Sequence, residues 1–326
     1  MQPQGHLPGK QFAHLLIGAL IVSAFCFLAP LPGFKEFRFL VKALCTNAPI
    51  AIAGNSVIGY VSRCDSDKRT LQAMIQDQMG KKTTDLDYGG ESLDDSIQYA
   101  ATALHNPRNR TVIVLLSLFD IQRWNEGNLQ RYLFFKLLNP SLDEASLRSR
   151  FHLKSILTGE GDPLTSAFRY KGTDYPDYVH IWDTYFERES GGISCPEGDG
   201  RDLRFIEAYY YHSYLGFPVQ VENYNLLKSL QDDARRSGKQ LLLVISPIDY
   251  TLIAKLNPDI ATGVRRRNSS VFHALTERKI NVLDLGDALQ GEDFAGRYCA
   301  CGHLAESGRR KVALAIGDAL ISTGGR

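Results

Sequence analysis

The sequence predicts an α/β protein built on a doubly wound parallel sheet, and three observations predict it. Strand, helix, strand, helix, strand patterns follow one another within about 70 residues from Ile50, the alternation that builds parallel sheets. Thr111–Leu116 is a continuous apolar run, as expected of a strand covered on both faces. The first apolar run, Ile50-Ala51-Ile52-Ala53, leads straight into Gly54-Asn55-Ser56. Small residues there allow a tight strand-to-helix turn on which a hydroxyl nucleophile is displayed and the first N–H groups of a helix face an oxyanion. Taken alone, the triplet is also an ordinary loop.

A chain of 326 residues can bury a large core with a sizeable insertion. Thirty-seven Lys and Arg stand against 36 Asp and Glu, a formal charge of +1. No strong charge footprint therefore argues for nucleic acid or an anionic surface. Arg265-Arg266-Arg267 and Arg309-Arg310-Lys311 read as solvated helix surface.

After a tail at 1–11, residues 12–31 carry no formally charged side chain and are about long enough to cross a bilayer as a helix. They are read as a membrane anchor, followed by a linker at 32–48. A cleaved signal peptide competes, but Pro30, Pro32 and bulky neighbours leave no clean cleavage site. Lys10 precedes the span while Lys35, Arg38 and Lys42 follow it, a bias against an exported domain. The cysteines point the other way. Cys45, Cys64, Cys195, Cys299 and Cys301 suit distant disulfides in an oxidising compartment, the odd count leaving a thiol free. Zinc is disfavoured, since no second close Cys/His pair accompanies Cys299 and Cys301.

Residues 49–322 form the expected domain. Asp65-Ser66-Asp67 supplies helix-start residues for Leu71, Met74, Ile75 and Met79, with Gly80 as the stop. Thr83 to Asp87 is a short strand, and the loop Tyr88-Gly89-Gly90-Glu91-Ser92 leads to a helix with Leu93, Ile97, Ala100, Ala101 and Leu104 on one face. Ser92 and Asp95 resemble a capping box. Residues 121–223 break the pattern. Their aromatic clusters, densest at 175–186 and 209–214, suit a lid or insertion that packs or stacks on sugar; His180 and His212 are read as structural. A helix through Tyr224, Leu227, Leu230 and Ala234 then precedes the strand 240–245, and a helix around 271–277 precedes the strand 280–285. Cys299 to His303 and a last helix through Val312, Ala315, Ile316, Ala319 and Leu320 close the domain, with a tail at 323–326.

The order of Ser56 in Gly54-Asn55-Ser56, Gly90 in Gly90-Glu91-Ser92 and His303 in Gly302-His303-Leu304 resembles the SGNH (GDSL-type) hydrolase superfamily. That family places a Ser, a Gly, an Asn and a His on separate loops of a flavodoxin-like sheet. The resemblance covers roughly Pro49 to the C-terminus without the insertion. It implies Ser56 as nucleophile, His303 as base, and the N–H groups of Ser56 and Gly90 as oxyanion donors, with no cofactor and no metal. Three positions depart from the pattern. Asn55 stands where the family usually has Asp, Phe119 replaces the oxyanion Asn in Ser117-Leu118-Phe119-Asp120, and Ala300 replaces the acid three residues before the base. Ser117 is the replacement oxyanion donor that the sequence offers, and Asp293, Asp249 and Glu306 are the replacement acids.

An anchor followed by such a domain is similar to the D-alanyl-lipoteichoic acid biosynthesis and alginate O-acetylation proteins. That similarity implies a single-pass protein with its domain on the extracytoplasmic side. It would be an esterase or O-acyltransferase on an acylated envelope polysaccharide, or on a small acyl donor, beside a membrane-bound O-acyltransferase. The alternatives are a degenerate SGNH-like scaffold and a nucleotide-binding flavodoxin-like domain. The last lacks a phosphate-binding Gly-rich loop.

Overall fold

The computed structural model describes residues 34–62, 64–86, 93–122, 207, 210–211, 213–216, 220–295 and 302–324. The chain divides into two compact units, Met1–Arg38 and Phe39–Arg326, and the sheet belongs to the second. Among the described residues no helix is long and apolar enough to cross a membrane. The expected anchor at 12–31 lies outside them, as do the Ser92 cap, Gly90, His180 and His212.

Five parallel strands form one sheet in the order β2-β1-β3-β4-β5: β1 is Ile50–Gly54, β2 Thr83–Asp85, β3 Thr111–Leu116, β4 Gln240–Ile245 and β5 Val282–Asp284. Both faces are covered, and the period-two alternation of each strand divides its side chains between them. Ala51, Ala53, Val112, Val114, Leu241 and Leu243 meet one face's helices: α3 (Leu93–His105), α5 (Val221–Arg236), α6 (Tyr250–Leu256) and α7 (Pro258–Glu277). Ile50, Ile52, Ile113, Leu115, Leu242 and Val244 meet α2 (Leu71–Met79) and α8 (Glu306–Gly324) on the other. The predicted doubly wound sheet is the fold observed.

Several elements differ from expectation. Residues 34–45 form a helix, α1 (Phe34–Cys45), where a linker was expected. Ala43 is fully buried, and Asn106 Nδ2 donates to the Ala43 and Thr46 carbonyls, satisfying acceptors at the helix end. Thr70, not 65–67, caps α2, its hydroxyl accepting from Ala73 N–H. The 65–67 stretch docks on α8 instead. The helix expected around 271–277 begins at Pro258, where Asn257 Oδ1 accepts from Asp259 and Ile260 N–H and Pro258 takes the first turn. Gly263, Asn268, Ser269 and Ser270 each cost that helix about 0.5–1 kcal/mol in propensity. Buried Ile260, Val264, Val271 and Leu275 contribute about 1.5–3 kcal/mol apiece, so packing prevails. Tyr210 and Tyr214 are buried in the first core, so these two aromatics of the 209–214 cluster pack rather than face a sugar.

Candidate active site

Strand order reverses at β1, which has β2 on one side and β3 on the other. Ligands of open α/β sheets bind outside the strand carboxyl ends at such a switch point. Gly54 ends β1 there with φ 154°, and a Cβ on it would lie 2.2 Å from the Leu115 carbonyl oxygen. Only glycine lets β1 and β3 approach so closely.

The chain next makes one helical turn. Asn55 Oδ1 accepts from Val57 N–H at 3.2 Å, Asn55 O from Ile58 N–H at 3.1 Å, and Ser56 O from Tyr60 N–H at 2.9 Å. Among the described residues the Ser56 N–H meets no acceptor. The neighbouring loop braces this turn from outside. Asn55 Nδ2 donates to Asp120 Oδ2 at 3.0 Å, and the same oxygen accepts the Ser117 N–H at 3.0 Å and the Ser117 hydroxyl at 2.7 Å. Asp120 N–H donates back to Ser117 Oγ at 3.1 Å, so Ser117 caps α4 (Leu118–Gln122). Ser117, expected as an oxyanion donor, has both its donors directed to Asp120. Phe119 packs, partly buried, against the first core.

His303 reaches the turn from the far end of the sequence. Gly302 has φ 65°, a left-handed conformation that costs other residues about 1–2 kcal/mol. An antiparallel bridge between Phe294 and Leu304, with the His303 carbonyl accepting from Ala295 N–H at 2.8 Å, fixes the backbone on either side of the ring. His303 Nε2 lies 3.1 Å from Ser56 Oγ, hydrogen-bond range for a base and a nucleophile. Its ring stacks on Tyr60 with centroids 3.9 Å apart and planes 9° from parallel.

Of the three candidate acids, Asp293 and Glu306 are engaged elsewhere and Asp249 caps a helix. Asp293 is fully buried and accepts from Lys311 Nζ at 2.7 Å and from Gln290 N–H at 3.1 Å. Burial pushes its pKa up, but the hydrogen bonds from Lys311, Gln290 and Ser307 outweigh that and leave it lowered. Its carbonyl accepts from Ala305 N–H, so it supports the His303 segment through the backbone. Asp249 Oδ1 caps α6 through Leu252 N–H. Glu306 is held at about 2 by the Ser66 hydroxyl, the Asp67 N–H and Arg310. Beside it, Arg309 corrects the reading of a solvated basic cluster. It has no exposure and donates to Asp65 Oδ2 at 2.6 Å and to the carbonyls of Arg69, Asp67 and Leu304. Cys64 is disulfide-bonded, and Cys45 is the free cysteine among the described residues. No cluster of metal-ligating side chains occurs among the described residues.

No protein-family model and no curated protein matches the chain. Two solved structures are similar in outline. A lipase/acylhydrolase from Enterococcus faecalis shares 9% identity at a TM-score of 0.40, over 84% of this chain and 95% of that one. A candidate platelet activating factor from Streptococcus pneumonia shares 12% identity at a TM-score of 0.38, over 96% and 98%. Likeness of this degree adds nothing to the site, whose reading rests on its own geometry.

Sequence reasoning named Ser56 and His303 and missed Tyr60 and Asp120. Tyr60 stands four residues after Ser56, the spacing that puts two side chains on one side of a helical turn. Asp120 carried a second signal, because an Asn at position 55 suits a neighbouring carboxylate where a second Asp would be repelled.

Proposed function

We propose that the protein is an SGNH-type acyl-ester hydrolase or O-acyltransferase working through Ser56 and His303. The observation that carries this reading is the 3.1 Å approach of Ser56 Oγ to His303 Nε2, from residues 247 positions apart, at the switch point of a parallel sheet. With its Nε2 unprotonated, His303 takes the Ser56 proton as Oγ attacks the ester carbonyl. The tetrahedral oxyanion forms against the Ser56 N–H and, by the resemblance, the Gly90 N–H. Collapse expels the alcohol, which takes the proton from Nε2 and leaves an acyl group on Ser56. Water or a sugar hydroxyl then attacks the acyl carbon, its proton passing to Nε2 and back to Ser56 as the ester bond breaks. The substrate in this reading is an acylated envelope polysaccharide or a small acyl donor. The domain would stand on the extracytoplasmic side behind a membrane anchor at 12–31, beside a membrane-bound O-acyltransferase.

The test is turnover of a p-nitrophenyl ester and an acetylated sugar by wild type, Ser56→Ala and His303→Ala. Each variant is expected to lose about 10³-fold or more in kcat. Equal turnover by all three would sink the proposal.

One observation favours a second reading, a degenerate scaffold that binds polysaccharide or an acyltransferase. Phe119 packs against the core where the resemblance places an oxyanion amide, and removing one such donor typically costs about 10²–10³ in kcat. A scaffold would bind glycan yet stay unlabelled by a serine-directed fluorophosphonate.

A further inference from the structure

The geometry assigns Tyr60 as the positioning residue of the His303 imidazole, an inference that rests on the Ser56/His303 reading and extends it. A histidine serving as base must present one nitrogen to the nucleophile and stay there while it gains and loses a charge. Ala300, three residues before His303, carries no group able to orient a ring. The turn that displays the nucleophile supplies one. Tyr60 N–H donates to Ser56 O at 2.9 Å, so Tyr60 lies one helical turn beyond Ser56 and both side chains emerge on the same side. The imidazole meets them along two directions. Its Nε2 edge faces Ser56 Oγ at 3.1 Å and its face lies on the Tyr60 ring at 3.9 Å. The Ser56 hydrogen bond does not by itself stop the ring swinging about the Oγ–Nε2 line, and the parallel stack opposes that swing.

The phenol ring also acts on the charged form. A cation over an aromatic face is attracted by the ring quadrupole, so the imidazolium formed when Ser56 gives up its proton is stabilised where it forms. Among the described residues, charges flanking the 302–306 segment pair with one another: Asp293 with Lys311, Asp65 with Arg309, and Glu306 and Asp67 with Arg310. Tyr60 and His303 are both partly exposed, so a loss of stacking is read at the site rather than through the core.

The test compares full-length wild type with Tyr60→Phe and Tyr60→Leu. His303 is titrated by NMR at its ring Cε1, its signal identified among the eight histidines by its loss in His303→Ala. Tyr60→Phe keeps the ring and is expected to hold the His303 pKa and stay within about threefold of wild-type kcat. Tyr60→Leu is expected to lower that pKa by about half a unit. It should also cut kcat by about ten- to a hundredfold with little change in KM, as misplacement of a catalytic group does. An unchanged pKa and kcat in Tyr60→Leu, at an unchanged thermal midpoint, would overturn the assignment. The titration does not depend on turnover. A Tyr60→Leu shift in a wild-type protein that a fluorophosphonate fails to label would uphold the positioning role and refute the hydrolase reading.

Discussion

At the scale of single residues, Asn55 and Asp120 decide how the Ser56 turn is held. Asp120 Oδ2 takes hydrogen bonds from Asn55 Nδ2, Ser117 N–H and Ser117 Oγ. An Asp at position 55, the residue that the SGNH resemblance would lead one to expect, would set a second carboxylate about 3 Å from the first, and ionising both there is costly, which raises the pKa at which one of them takes a proton. Asn55→Asp is therefore expected to lower stability at neutral pH by about 1–3 kcal/mol, from the lost donor and the new repulsion. Acidification to about pH 5, where one carboxyl takes a proton, should recover part of that loss. Thermal midpoints at the two pH values check it. Ser56 and His303 stand out in sequence because small-residue turns and a histidine before a last helix mark themselves, and the structure brings the two side chains within 3.1 Å. Ser117 was misread because its partner, three residues on, turns its hydroxyl into a helix cap.

At the scale of elements, the 65–69 segment and α8 are joined by one buried guanidinium. Arg309 is fully buried, Asp65 is 7% exposed at its side chain, and three backbone carbonyls take three more of the Arg309 donors. Arg309→Met removes the cation and leaves Asp65 charged in a dry site, for which the expected loss is about 3–5 kcal/mol. Urea unfolding of Arg309→Met and Arg309→Met/Asp65→Asn measures it, the double variant recovering part of the loss. The strands 111–116 and 240–245 were legible to the residue, since period and composition alone define a run buried on both faces. Helix α7 was only half legible. Its Asn257-Pro258 start is a good local signal, but the Gly, Asn and Ser within it outweigh periodicity until tertiary burial is known. The basic run at 309–311 reads as surface because sequence gives no sign that Asp65, some 240 residues earlier, folds beneath it.

At the scale of the whole molecule, acid should weaken the closure of the domain around α8. Glu306 is depressed to about 2 from an ordinary 4.5, first by the Ser66 hydroxyl, then by Asp67 N–H and Arg310. A carboxylate whose folded pKa is lowered contributes stability that is complete above its unfolded value and lost as pH falls through the folded one. Glu306→Gln is accordingly expected to melt below wild type near neutral pH, with the gap closing from about pH 4.5 down to about 2. A gap of constant size across that range would contradict it. The parallel sheet and its two covered faces followed from the alternation of patterns, whereas the strand order is a finding of the structure. The meeting of Ser56 with His303 was legible only as a consequence of that topology, because no local signal spans 247 residues.

The connection between β3 and β4 has a consequence for how such a molecule can diversify. Six residue pairs, from Thr111 with Gln240 to Leu116 with Ile245, hold these strands side by side, while the chain joining them runs from residue 117 to 239. In a flexible loop, doubling the length costs only about 0.6 kcal/mol of closure entropy. Its ends are committed, because Ser117 and Asp120 hold the Ser56 turn and α5 packs in the core, so a change of length falls between residues 122 and 221. The protein can acquire a new clientele there without rebuilding its workshop.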